Sequence, residues 1–452
     1  MGLFSKNKKA EQPKPQIEPD APSFTFGVEE FGPVKDSDDM LVIGRLKGTV
    51  KVGMGVYVSA PGQSGMPILV TTVKELQANG KPAESATDGT ALMILENARS
   101  QPFFIGSVVH GRNASGADVH NTYINALGDV FLTQKQLMLE PDDFDRMSLT
   151  DMTEVYNLYV MFMGRNPIPE QDKAAIQLRV DVLMGAMISK FFDSDEIYLI
   201  YSKATGEPYM FSQTIQREQG YETTPPDVMF VTAPYYHVFS KHYTQGDFDM
   251  VKLGRGEDGN GIKDLLGMAF YLNGVCGVEF NNLRFAIDKS KLVPAPDYSG
   301  TKDIEVPVTN PDLMRWILLM GQMTDVSEDG ARIMYSAYNS LFMRELPKAK
   351  FLVPMKVEGS LPQADDDGMA KLERNTTIGL ATMPGKNGRN AVKMYTDWKR
   401  LREVYGEDWS GMIESVQGFI SNMDCAINVT EHIKAGVYID RDTWDSASKT
   451  AQ

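Results

Sequence analysis

The sequence predicts a multidomain protein: an N-terminal small all-β barrel, then two α/β (α+β) repeats, each with a leading helical pair and a mixed sheet. Three observations carry this reading. Residues 23–115 alternate short β-branched runs with glycine-containing turns. Two pairs of helix-periodic stretches follow, beginning at Ser148 and Asn310. After each pair, a series of segments recurs in the same order. FAIDKSKL (Phe285–Leu292) answers VYIDRDTW (Val437–Trp444), with Asp288 and Asp440 in register. GVEFN ending at Asn281 answers DCAIN ending at Asn428, and MFSQTIQREQGY from Met210 answers MYTDWKRLREVY from Met394. The spacing between matches differs, as different insertions in two copies require. The resulting plan is a tail (1–22), a barrel (23–115), a linker (116–147), repeat one (148–299), repeat two (303–446) and a short tail (447–452).

Composition bounds the function classes. At 452 residues and 42% hydrophobic, the chain can bury several cores. A formal net charge of −15 opposes general binding to DNA or to an anionic membrane surface. Two cysteines, Cys276 and Cys425, make neither a disulfide framework nor a four-cysteine metal site, and fit small core residues in a reducing cytoplasm. No apolar run approaches the roughly 18 residues that insertion into a bilayer needs. MGLFSKNKK lacks the apolar region of a secretory signal and, with Lys6 at its sixth position, departs from the myristoylation pattern. Lys6–Pro22 is polar and proline-rich, and reads as a disordered tail.

In the first folded segment, six strands are expected at Met40–Ile43, Gly48–Val52, Gly55–Val58, Ile68–Val73, Ala91–Leu95 and Phe103–Val109. Short strands at such spacing favour a closed barrel, which leaves no exposed sheet edge. The run GRLKGTVKVGMGVYV (Gly44–Val58), with ATDGTALMIL from Ala86 and QPFFIGSVV from Gln101, resembles the second domain of translation GTPases such as elongation factor Tu. The resemblance implies an architecture and, in that family, packing on a G domain and contact with RNA. Here the GxxxxGK[ST] phosphate loop is missing from the sequence, so no nucleotide triphosphate is cradled. Ser23–Ser115 carries nine acidic and eight basic residues, which gives no electrostatic footprint for RNA. A docking module is the expectation.

Residues 114–147 turn polar and then acidic, around Pro141, Asp142, Asp143 and Asp145, and are expected to form a connector with one short helix at Asn121–Leu132. Repeat one opens with Ser148 and Asp151 in capping-box spacing, followed by the stripe Met152, Val155, Tyr156, Tyr159, Val160 and Met163. After a break at Asn166–Pro169, a second helix is expected at Glu170–Phe192. Repeat two opens on Asn310 and Pro311, with Leu313, Trp316, Ile317 and Met320 as its stripe, then a helix at Glu328–Leu346. Both pairs are expected to pack on the sheets that follow. Ile197–Tyr201 and Phe351–Met355 read as strands, as do Pro208–Ser212 and Val392–Thr396; helices are expected at Lys263–Leu272 and Met412–Ile420. An insertion, Lys356–Asn390, carries its own strand at Thr377–Thr382.

FLVPM at Phe351, KMYTDW at Lys393, AIN at Ala426 and YIDRDTW at Tyr438 resemble the SseB-like domain of bacteria. Repeat one keeps the YMFS, EFNN and FAIDK versions as a more distant copy. The resemblance implies a helix-flanked α/β sheet and an accessory or secretion-linked role, and brings no catalytic chemistry with it.

Candidate chemistry is sparse. Gly254, Gly256 and Gly259 spell GxGxxG, with Glu279 twenty residues on, where a ribose-binding acid belongs in a dinucleotide site. Glu257 and Asp258 would place carboxylates in the phosphate cradle, so a flexible glycine-rich insertion is the expectation. His237 and His242, among Tyr235, Tyr236 and Tyr243, read as a packed aromatic strand. His432 beside Glu431 has no thiol or hydroxyl in a recognisable motif. Asp365–Asp367 lacks the later glutamate of an EF-hand. The candidate binding residues are those shared between copies: Thr396, Asp397, Asn428 and Asp440, with Ser212, Asn281 and Asp288; such residues also make turns at strand ends. No catalytic residue, cofactor or metal is expected. The predicted function is that of a non-enzymatic cytoplasmic scaffold or adaptor working through protein–protein recognition, without membrane insertion or DNA. The alternatives are a translation- or secretion-associated factor docking a ribosome or RNA through the barrel, and a nucleotide-binding enzyme using Gly254–Gly259.

Overall fold

The structure, a computed structural model, describes residues 23–60, 67–133, 141–165, 169–217, 220–243, 246–283, 285–302, 305–358, 377–430 and 435–450. The predicted N-terminal tail, Asp365–Asp367, Glu431 and His432 lie outside them. The chain divides between Phe191 and Phe192 into two compact units.

The first unit begins with β1 (Phe24–Pro33), β2 (Met40–Lys51), β3 (Gly55–Ser59), β4 (Pro67–Ala78), β5 (Lys81–Pro82), β6 (Ser85–Leu95) and β7 (Val108–His110). The order β3-β7-β1-β2-β6-β4, closed by pairing of β4 with β3, makes a six-stranded antiparallel barrel. Inward positions alternate along each strand, as Met40, Val42 and Leu46 on β2 and Ala91, Met93 and Leu95 on β6 show. Bulges at Val28/Glu30, Leu46/Thr49 and Val73/Glu75 supply the bends that closure needs. At one of these corners the backbones of β1 and β2 nearly touch: a Cβ on Gly44 would lie 1.8 Å from the Gly27 carbonyl oxygen.

Two strands differ from expectation. The runs Met40–Ile43 and Gly48–Val52 are a single strand broken by a bulge, and β1 was not anticipated. Its period of two is hidden because Thr25 and Gly27 on its outer face are buried as well. What buries them is α1 (Gly116–Thr133), which packs on β1 through Thr122 and Ala126. A Cβ on Gly27 would lie 2.8 Å from that of Ala126. Residues of the predicted connector thus complete a core, in a longer helix than Asn121–Leu132. Next come α2 (Pro141–Arg146), α3 (Leu149–Arg165) and α4 (Glu170–Phe192). Ser148 and Asp151 exchange the two expected capping bonds, Ser148 N to Asp151 Oδ2 at 2.8 Å and Asp151 N to Ser148 Oγ at 3.1 Å.

The second unit holds β8 (Ile197–Ser202), β9 (Met210–Phe211), β10 (Thr214–Arg217), β11 (Gly220–Thr223), β12 (Asp227–Thr232), α5 (Tyr236–Tyr243), β13 (Phe248–Leu253), α6 (Gly261–Tyr271), β14 (Gly277–Phe280), β15 (Ala286–Asp288) and α7 (Lys289–Leu292). The sheet order is β13-β8-β12-β14-β15, with β9 also on β12; only β12 and β14 run parallel. There follow α8 (Pro311–Gly321), α9 (Asp329–Glu345), β16 (Phe351–Glu358), β17 (Thr377–Leu380), β18 (Thr382–Pro384), β19 (Asn390–Met394), α10 (Trp398–Arg402), β20 (Ser410–Glu414), α11 (Val416–Phe419), β21 (Asp424–Ile427), β22 (Val437–Ile439) and α12 (Arg441–Thr450). They form the sheets β17-β16-β20 and β18-β19-β21-β22, joined by an antiparallel bridge between Leu352 and Tyr395; β19 and β21 are parallel.

Three expectations change here. Residues around His237 and His242 are helical, because Tyr236, Phe239 and Tyr243 recur at helical spacing. The Tyr198 and Tyr236 rings stack at 4.2 Å. Met412–Ile420 is not one helix: Ser410–Glu414 pairs with β16, and only Val416–Phe419 is helical. The strand that runs beside β14 as β19 runs beside β21 is β12, not Pro208–Ser212, of which only Met210–Phe211 is strand.

Candidate functional site

Most of the residues singled out from the sequence either lock strand ends together or cap helices. β12 and β14 end side by side, and so do β19 and β21. At each end an asparagine takes a left-handed backbone, φ 51° at Asn281 and 49° at Asn428, a conformation asparagine tolerates better than most residues. The side chain then bonds the neighbouring strand as it leaves the sheet. Thr232 N donates to Asn281 Oδ1 at 2.9 Å and Asn281 Nδ2 to Thr232 Oγ1 at 3.1 Å. Thr396 N donates to Asn428 Oδ1 at 3.1 Å and Asn428 Nδ2 to Thr396 Oγ1 at 3.0 Å. Ser212 does not join Asn281; its hydroxyl donates to the Thr224 carbonyl at 2.8 Å. Thr232, missed in the sequence, holds that place. Asp288 and Asp440 are N-caps: each accepts from the hydroxyl of Ser290 or Thr443, at 2.6 and 2.7 Å, and from the same residue's N–H at 2.9 Å, which holds both carboxyls below the usual range.

Asp397 caps α10 and belongs to a buried polar cluster. Arg400, 5% exposed, donates to Asp397 Oδ2 at 2.5 Å, Glu207 Oε1 at 2.9 Å and Asn273 Oδ1 at 2.6 Å. Glu207 also receives Asn273 Nδ2 at 2.8 Å and Lys399 Nζ at 3.1 Å. Glu207 and Asn273 come from the first sheet's connections, and Arg400 follows β19. The guanidinium is a pin between the two halves of the unit, three of its five N–H donors engaged.

An open cavity of about 740 Å³ has a different character. Tyr209, Phe211, Met323, Met334 and Tyr338 form apolar walls, and Ser212, Gln213, Thr224 and Asn282 supply polar edges. Gln322 closes one side by bonding both the N–H and the carbonyl of Met210, at 3.1 and 2.7 Å. Among the described residues, two carboxylates line it, Asp227 and Glu279, and no cation does. Register explains their proximity. Asp227 opposes Gly277 and Met229 opposes Glu279 across the parallel pair, so both acids stand on one face. Gly277 leaves the room: a Cβ there would lie 2.6 Å from Asp227 Oδ1.

Among the described residues neither carboxylate has a hydrogen bond or an ion pair. Burial, then the charges of Glu279 and Asp288, push Asp227 up to about 7. Burial also raises Glu279. Asp227 opens the strand DVMFVT and Glu279 interrupts the otherwise apolar GVEF, a signal present in the sequence. Glu279 was weighed there only as a ribose ligand. The glycine loop does not line this cavity. It is tethered elsewhere, by Arg255 N to Ser194 O at 2.9 Å and Arg255 Nε to Asp195 Oδ1 at 2.8 Å. The strand before it, β13, has six residues.

Fold and site together define a multidomain α+β protein with an N-terminal closed six-strand barrel and several mixed sheets. Residues 334–442, from within α9 into α12, match the family described as SseB protein N-terminal domain. Among solved structures, apo translation elongation factor SelB from Methanococcus maripaludis is similar over 20% of this chain and 19% of that one, with 21% identity and a TM-score of 0.17. The chain thus spans about a fifth of that protein's length. Comparison with curated proteins finds no match. No described helix is long and apolar enough to cross a membrane, and no described group of three or more His, Cys, Asp or Glu side chains is placed to hold a metal ion.

Proposed function

We propose that the protein is a non-enzymatic adaptor of the cytoplasm, in which two SseB-like halves form a recognition body and the barrel is a second docking module. Support for the duplication is geometric. Reading β13-β8-β12-β14-β15 against β20-β16-β19-β21-β22, each strand meets a partner of the same direction. The Thr–Asn lock and the aspartate N-cap recur at equivalent points. The SseB family is not a known enzyme family.

The observation that carries the recognition role is the cavity: apolar side chains from both halves around a polar floor, open to solvent, where a protein segment can bury its side chains. Site-specific photo-cross-linking tests it. With benzoylphenylalanine at Met323, irradiation of the full-length protein in its native host should yield a discrete protein adduct. The same probe at Lys252, on the far edge strand, should not. Equal adducts from both positions, or none from Met323, would overturn the reading.

A further inference from the structure

We propose that the cavity receives a lysine or arginine side chain from an extended segment of a partner protein, its charged end between Asp227 and Glu279 and its methylene stem along Tyr209 and Phe211. This rests on the recognition reading above and names the chemistry recognised.

Charge is the first reason. Among the described residues the lining holds two carboxylates and no base, and neither carboxylate has a partner. Buried charge without compensation is costly, and an incoming cation with several N–H donors would remove that cost. Among the described residues, Arg315 is committed elsewhere, donating to the Gly274 carbonyl at 2.8 Å and to Asp312 at 3.0 Å. Wall chemistry is the second reason. The Tyr209 and Phe211 rings meet edge to face at 4.8 Å, and Tyr338 stands on the α9 side. Aromatic faces beside a carboxylate pair suit a guanidinium or an ammonium on an apolar stem. Space is the third. About 740 Å³ exceeds one side chain and admits its apolar neighbours, which Met323 and Met334 can accommodate by changing rotamer.

A proton on Asp227 competes with the cation. The groups facing Asp227 are Glu279 on β14, Asp288 before α7 and the Cys276 thiol; Tyr243 on α5 faces Glu279. The positive charges of Arg315 and Lys289 bear on the Cys276 thiol. Affinity for a cation should therefore rise between pH 6 and pH 8.

The test uses the full chain and a terminally blocked pentapeptide with a central lysine flanked by leucines, titrated by calorimetry against its acetyl-lysine counterpart. The acetyl-lysine peptide keeps the stem and removes the charge. We expect it to bind at least about tenfold more weakly, and Asp227→Asn or Glu279→Gln to weaken the lysine peptide by a similar factor. The exposed loop variant Glu257→Gln should leave the affinity unchanged. Far-ultraviolet circular dichroism confirms that each variant is folded. Equal affinity for the two peptides overturns the cation inference while leaving the adaptor reading intact. Binding of neither peptide also overturns it, and Met323 cross-linking then decides the adaptor reading alone. Spermidine binding more tightly than the lysine peptide would replace a protein segment with a free polyamine and sink the proposal.

Discussion

Replacing Asp227 by asparagine should make the protein more stable at neutral pH, an unusual outcome for a half-buried polar residue. Folding raises this carboxyl from 3.8 to about 7, a difference of roughly three pH units. At about 1.4 kcal/mol per unit the ceiling is about 4 kcal/mol. The group opens onto a solvent-filled cavity, so screening reduces the figure to about 1–2 kcal/mol. The sign follows from proton linkage. The folded chain holds the proton more tightly than the unfolded chain, so stability is greatest below pH ~4, falls as pH rises to ~7 and is level above. Asparagine, nearly isosteric with the protonated acid, removes this slope. In urea titrations followed by indole emission, Asp227→Asn and wild type should coincide near pH 4 and diverge in favour of the variant at pH 8. All four tryptophans, Trp316, Trp398, Trp409 and Trp444, lie in the second unit, so this signal reports the relevant core. A variant equal to or less stable than wild type at pH 8 would refute the claim that the acid is held uncompensated.

Other outcomes follow from the same contacts. Gly277→Ala should cost about 2–4 kcal/mol and displace the acid, since its Cβ would also lie 2.7 Å from the Ile287 carbonyl oxygen; an unchanged urea midpoint would contradict the packing. Asn428→Ala should lose about 2–3 kcal/mol, and Asn428→Gly about 1 kcal/mol less, because glycine restores the left-handed backbone but not the bonds to Thr396. Equal losses would mean that φ is not strained there. Arg400→Met should cost about 3–5 kcal/mol by leaving Glu207 and Asp397 buried without their shared cation, and additivity with Glu207→Gln in a double-mutant cycle would argue against that coupling. In the barrel, Lys74, Ser37 and the Asn97 N–H hold the Asp39 carboxyl at about 2. That stability is present above pH ~4 and lost as pH falls toward 2, so Asp39→Asn should cost about 1 kcal/mol at pH 7 and progressively less in acid, read by circular dichroism.

Local chemistry determined much of this protein. The Ser148–Asp151 cap, the helices after Asn310, the alternation on β2 and β6, and the aspartates before α7 and α12 each follow from interactions within a few residues, which a sequence records directly. SseB likeness was legible for the same reason, since the FLVPM, TDW, AIN and YIDRDTW segments are contiguous. Where two elements share a burden, the record blurs. β1 lost its alternation because α1 covers its second face, and the Tyr235–Tyr243 stretch is helical because its rings must reach a sheet assembled from distant strands. Matching Met210 to Met394 by residue identity pointed to Ser212, whereas the parallel pairing of β12 with β14 placed Thr232 against Asn281. The cavity is the extreme case. Asp227 and Glu279 stand 52 positions apart in the chain, and only strand register turns them to one face, with Gly277 leaving room for the carboxylate and no described cation nearby to quench it. Charge and residue type were written in the sequence; proximity, burial and the absence of a described partner were created by the fold.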